Sequence, residues 1–92
     1  VYPRHVEEAI YQHPAVEECV VVGVPDEYRG QTVKAFIKLR EGAALSHTDL
    51  MTFLKDKLSA IELPKQVEFR EQPLPKTAIG KLSRKLLLEE KR

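Results

Sequence analysis

The sequence predicts a small α+β domain in which helices pack on a three-stranded sheet, in the order α-β-β-α-β-loop-α. Three observations predict it. Apolar residues recur at helical spacing twice, as Val6, Ala9 and Ile10 and again as Leu50, Phe53, Leu54 and Leu58. Between these stretches lies a nearly unbroken apolar run, Cys19 to Val24, followed by strict alternation from Thr32 to Arg40. With 92 residues, 42% of them hydrophobic and 32% charged, the chain can build one modest core, so residues 1–92 read as a single domain.

Each element has its own signal. Pro3 stands where the first turn of a helix tolerates proline, and Pro14 stops that helix at or before His13. Cys19 to Val24 reads as a buried strand. Pro25 to Gly30 is rich in turn formers and too long for a two-residue hairpin. In the next strand Val33, Ala35, Ile37 and Leu39 point one way and Lys34, Phe36, Lys38 and Arg40 the other, as in a half-exposed strand. Glu41 to Ala44 breaks it. Ser46, with Asp49 three residues on, forms a capping pair that starts the second helix, on which Lys55 and Lys57 also fall. Val67 and Phe69 alternate with Glu68 and Arg70 in a third strand. Gln72 to Pro75 is a stiff, extended entry to the last segment. After Gly80, Leu82 and Leu86 repeat at i, i+4 in a final helix that runs to about Glu90.

The formal net charge of +1 conceals an uneven distribution. Residues 1–75 carry a balance of −3, whereas residues 76–85 hold Lys76, Lys81, Arg84 and Lys85 with no acid. Such a segment is a candidate for binding an anion, although a solvated helix face presents the same pattern. Arg84 could equally pair with Glu89 or Glu90. Nucleic-acid binding is disfavoured, because the body is acidic and the strands carry only Phe36 and Phe69 as aromatics. No apolar run reaches the roughly 18 residues of a membrane span. His5, His13 and His47 lack metal-ligand spacing, so no metal site is expected. A lone Cys19 among valines fits a core position and a reducing, cytoplasmic compartment. The chain opens on Val-Tyr-Pro-Arg without an initiator Met or a signal-like stretch, as expected of a piece of a longer protein.

The segment from Pro75 to Lys85 (PKTAIGKLSRK) holds the chemistry. Gly80 lets the backbone approach a ligand, and Lys81 follows it directly. Read as the first turn of a helix, this places Lys81, Arg84 and Lys85 at the end that disfavours cations, by roughly 0.3–1 kcal/mol each. A bound anion would reverse that sign. The segment is not a nucleotide-hydrolysing P-loop: Pro75 stands where that motif has its first Gly, and Leu82 where it has Ser or Thr.

These residues resemble the Pro-Lys-Thr-x-x-Gly-Lys-x-x-Arg signature that closes the adenylate-forming (AMP-binding) enzymes. Val1-Tyr2-Pro3-Arg4-His5-Val6-Glu7 is similar to the opening of that family's small C-terminal domain, with His5 where Glu is usual. His13-Pro14-Ala15-Val16, then Val22-Gly23-Val24-Pro25-Asp26 with Tyr28-Arg29-Gly30, match two further stretches in order. Leu63-Pro64-Lys65 and Val67-Glu68-Phe69 look most like a long-chain fatty-acyl-CoA ligase, whereas Ile61-Glu62 departs from the family pattern.

The resemblance implies the small C-terminal domain of a larger enzyme whose N-terminal domain is absent here. That partner domain would hold ATP, Mg2+ and a carboxylic acid, and this one would act as its lid. It implies an acid–thiol ligase that forms acyl-AMP and then a thioester with coenzyme A, the small domain rotating in between. It makes Lys81 the adenylation lysine, with Lys76, Gly80 and Arg84 as candidate nucleotide contacts and Lys55 and Lys57 as candidate coenzyme A contacts. Asp26 and Arg29 fall at a turn facing the partner domain. An adenylation domain loading a carrier-protein thiol is the alternative. By itself the chain is expected to be inactive, with no transmembrane segment and room only for peripheral membrane contact.

Overall fold

The computed structural model describes residues 3–28, 30–78 and 80–89, leaving aside the side chains of Asp26 and Gln31. Val1, Tyr2 and Arg29 of the family-like stretches, and the expected helix end at Glu90, lie outside these residues. The elements run α1 (Pro3–Tyr11), β1 (Val16–Asp26), β2 (Gly30–Leu39), α2 (His47–Leu54), β3 (Gln66–Arg70) and α3 (Arg84–Glu89).

β2 is the central strand. It pairs antiparallel with β1 from Val16↔Leu39 to Asp26↔Gly30, and parallel with β3 from Lys34↔Gln66 to Lys38↔Arg70. Parallel neighbours need a long crossover, which the connection through α2 provides. β1 extends beyond the expected Cys19–Val24 at both ends, because β2 offers it a ladder as far as Val16 and Asp26. Pairing closes at Gly30, whose φ of +80° is open to glycine and strained for other residues.

The two faces of the sheet are both covered. Val33, Ala35 and Ile37 meet Val6, Ala9 and Ile10 of α1 and Leu50 and Leu54 of α2 in the main core. On the other face Val20, Val22 and Phe36 bury Leu74 and Leu87. The expected half-exposed face of β2 is therefore corrected: the C-terminal segment lies over it, and Phe36 is fully buried. Lys34 and Lys38 on that face are only 12% and 14% exposed, paired with Glu68 at 3.4 Å and Glu17 at 2.8 Å. Their aliphatic stems supply the apolar contact and their ammonium groups find carboxylates.

α2 starts as expected, with the Ser46 hydroxyl accepting from the Asp49 amide at 3.0 Å. It ends at Leu54, earlier than the apolar stripe implied. Leu58 is still buried, but from the turn beyond the helix. Lys55 is thus the C-cap, and Lys57 lies past the helix with its ammonium 4.6 Å from the Phe53 ring centre.

α1 runs along the open edge of β1. The Tyr11 hydroxyl accepts from the Cys19 amide at 2.9 Å and donates to the Cys19 carbonyl at 3.2 Å. Glu7, one turn earlier, accepts from the Val21 amide at 2.8 Å. Four helical residues rise about 6 Å and two strand residues span about 6.6 Å, so side chains at i and i+4 of α1 reach alternate residues of β1. An edge strand would otherwise present these groups unpaired.

Candidate functional site

The final helix begins later than the sequence suggests, and this relocates Lys81. α3 starts at Arg84, with the Ser83 hydroxyl accepting from the Leu86 amide at 3.1 Å. Ser83 is the N-cap that sequence reasoning missed; a serine followed by a cationic and leucine-rich stretch was the available signal. Leu87, 1% exposed, is the buried anchor, whereas Leu86 is 40% exposed; the expected Leu82–Leu86 stripe is corrected accordingly. Lys81 therefore precedes the helix and is not part of its first turn.

Lys81 stands instead in a tight hairpin. Lys76 and Leu82 form an antiparallel bridge. The Thr77 amide donates to the Lys81 carbonyl at 2.7 Å, the Gly80 amide to the Thr77 carbonyl at 2.9 Å, and the Ser83 amide to the Pro75 carbonyl at 3.0 Å. The Lys81 amide reaches the Thr77 hydroxyl at 3.3 Å. Gly80 carries a φ of +88°, so it closes the turn in a conformation that an L side chain rarely takes. Among the described residues Lys81 is exposed and its ammonium has no partner.

Two carboxylates fasten the feet of this hairpin. Glu18 of β1 accepts from the Leu74 amide at 2.9 Å and pairs with the Lys76 ammonium at 2.6 Å. Burial alone would raise the Glu18 pKa, but the Lys76 ammonium and the Leu74 amide outweigh it and hold the carboxyl below its ordinary value. At the other foot Arg84 donates to Glu7 at 2.7 Å and to the Val21 carbonyl at 3.0 Å. Val21 thus has both backbone groups engaged, its amide by Glu7 and its carbonyl by Arg84. Arg84 takes Glu7 as its partner, where the sequence offered Glu89 or Glu90.

The structure brings Lys76, Gly80, Lys81 and Arg84 together on one hairpin; of these Lys81 and Arg84 line a groove of about 600 Å³, with Arg4, Glu8, Tyr11 and Lys85. Lys55 and Lys57 are not part of it. They follow α2, which packs on the sheet face opposite Leu74 and Leu87. Cys19 is buried, and burial pushes its thiol pKa far up, which suits a core residue. Glu7, Glu18 and Tyr11 were not singled out from the sequence. The usable signal was Glu18 in phase with Val20 and Val22, an acid on a strand face that the basic segment later covers. Among the described residues no three His, Cys, Asp or Glu side chains converge on a metal position.

The mixed three-stranded sheet with its helices is a small α+β domain, and its anchored hairpin carries Lys81 exposed and unpaired among the described residues. The chain belongs to the AMP-binding enzyme C-terminal domain family, whose sequence model matches residues 5–81. It is 53% identical over 98% of its length to a long-chain-fatty-acid–CoA ligase of Bacillus subtilis, covering 16% of that protein. Among solved structures it is similar to an acyl-CoA synthetase of Brucella canis, with a TM-score of 0.83 and 44% identity over 92% of this chain and 16% of the other. It is also similar to MatB of Rhodopseudomonas palustris, with a TM-score of 0.89 and 32% identity over 97% and 18% of the two chains. The chain thus spans about one sixth of the length of the curated relatives it matches.

Proposed function

We propose that this chain is the C-terminal lid of an ATP-dependent acyl-CoA synthetase, in the manner of a fatty-acid–CoA ligase, and that Lys81 is its adenylation lysine. The observation that carries the reading is the hairpin: it holds Lys81 exposed and unpaired among the described residues, while Lys76 and Arg84 are matched by Glu18 and Glu7. The proposed phosphate-facing cation is Lys81, the lysine on the hairpin itself, with Gly80 shaping the turn and Lys76 and Arg84 holding it; Lys85, also unpaired among the described residues, stands on α3 beyond the hairpin.

In the first step a carboxylate oxygen of the acid attacks the α-phosphorus of ATP, and pyrophosphate leaves. Negative charge gathers on the phosphoryl oxygens, and an ammonium placed beside them lowers that barrier. In the second step the coenzyme A sulfur attacks the acyl carbonyl carbon and AMP leaves. Lys81 is then no longer required, so rotation of the whole lid opens the site for the thiol. The hairpin's polar anchors lie on α1 and β1 of its own domain, so Lys81 would travel with the lid as a unit. Mg2+ accompanying ATP would neutralise phosphate charge and would take its protein ligands from the partner domain. Two of the four cations in the basic segment are already paired, which leaves little of a nucleic-acid patch.

The test is Lys81→Ala in the full-length enzyme. Carboxylate-dependent pyrophosphate release should fall by about 10²–10³-fold, while thioester formation from supplied acyl-AMP persists. Undiminished pyrophosphate release overturns the role. Offering coenzyme A and a carrier-protein thiol side by side distinguishes the two acceptor classes.

A further inference from the structure

The hairpin from Pro75 to Ser83 has one bridge and a few turn hydrogen bonds of its own. An isolated two-stranded hairpin is marginally stable in water, so its direction must come from what holds its feet. Leu74 and Leu87 seat the flanking chain in the core, but apolar contacts are non-directional. Among the described residues the directional contacts are the two carboxylates and the Val21 carbonyl. Glu18 grips the entry through the Leu74 amide and the Lys76 ammonium. Glu7 grips the exit through Arg84, which also reaches the Val21 carbonyl. The acids are themselves mostly shielded, Glu18 at 16% and Glu7 at 15% side-chain exposure, so their bonds are less screened than surface pairs.

We propose that Glu7 and Glu18 are positioning residues for Lys81: acting on opposite feet of one hairpin, they aim its ammonium during adenylation and have no part in thioester formation. This rests on the reading of Lys81 as the adenylation lysine. A misplacement of about 1 Å can cost on the order of a hundredfold in rate, so weakening either foot should register in the first half-reaction.

The experiment uses the full-length enzyme with Glu7→Gln, Glu18→Gln and Lys81→Ala, singly and with each glutamine variant combined with Lys81→Ala. Adenylation is read by isotope exchange between pyrophosphate and ATP, and the second half-reaction by thioester formation from supplied acyl-AMP. Each glutamine variant should lower the exchange kcat by roughly five- to a hundredfold, leave the KM for ATP within about twofold, and leave thioester formation unchanged. In the Lys81→Ala background the same changes should be silent, because they act through that ammonium. Equal losses in both half-reactions, losses that persist without Lys81, or no loss at all each overturn the proposal. If Lys81→Ala alone leaves exchange intact, the adenylation reading itself falls, a result distinct from the others. Should a glutamine variant fail to fold by thermal melting, Arg84→Gln and Lys76→Met remove the same ion pairs from the other side and are read in its place.

Discussion

Tyr11 and Cys19 are joined by two hydrogen bonds through a single oxygen: the phenol accepts from the Cys19 amide at 2.9 Å and donates to its carbonyl at 3.2 Å. The side chain of a helix thereby completes the backbone of an edge strand. Tyr11→Phe keeps the ring and removes both bonds. It should destabilise the 92-residue chain by about 1–2 kcal/mol, since water reaches this half-buried edge only in part. Urea unfolding measures it, and a change under about 0.3 kcal/mol would mean that solvent replaces the hydroxyl fully.

Gly80 predicts a backbone effect free of steric conflict. A Cβ added there meets no atom within 4 Å, yet the φ of +88° remains unfavourable for an L residue. Gly80→Ala should therefore cost about 1–2 kcal/mol from conformation alone, and Gly80→Asn less, because Asn tolerates positive φ better. Thermal melting of the three chains gives the order. Alanine matching glycine would show that the turn is not held in this conformation.

The last helix distinguishes two adjacent leucines. Leu87 is 1% exposed among Val20, Val22, Phe36 and Leu74, whereas Leu86 is 40% exposed. Leu87→Ala should cost about 2–4 kcal/mol and Leu86→Ala well under 1 kcal/mol. Denaturant titration of both variants checks the helix face; the reverse order would restore the Leu82–Leu86 stripe.

Glu18 makes stability depend on pH. Its pKa in the fold lies below the ordinary 4.5, the Lys76 and Leu74 bonds outweighing the effect of burial. A depressed pKa contributes stability that is fully present above the unfolded value and is lost as pH falls through the folded one. Glu18→Gln should thus be less stable than the parent by about 1–2 kcal/mol near pH 7, a figure kept low for the partial exposure of Lys76. The gap should close as pH drops below the ordinary carboxylate value. Unfolding of both chains across pH 3–8 tests it, and a gap that stays constant would remove Glu18 ionisation from the account.

Much of the domain is decided locally and so can be read from the sequence alone. The face of α1, the Ser46 cap and the alternation along β2 depend on residues a few positions apart, where periodicity and conformational preference act. The family-like segment around Lys81 is local in the same sense. What only the tertiary structure decided is which charges are spent and which are free. Arg84 meets Glu7 across 77 residues, and the Leu74 amide meets Glu18 across 56. Coulombic and hydrogen-bonding partners are chosen by distance through space, which no short-range pattern records. Four cations within ten residues therefore looked alike in the sequence, until folding paired Lys76 and Arg84 and left Lys81 on the hairpin and Lys85 on α3 unpaired among the described residues.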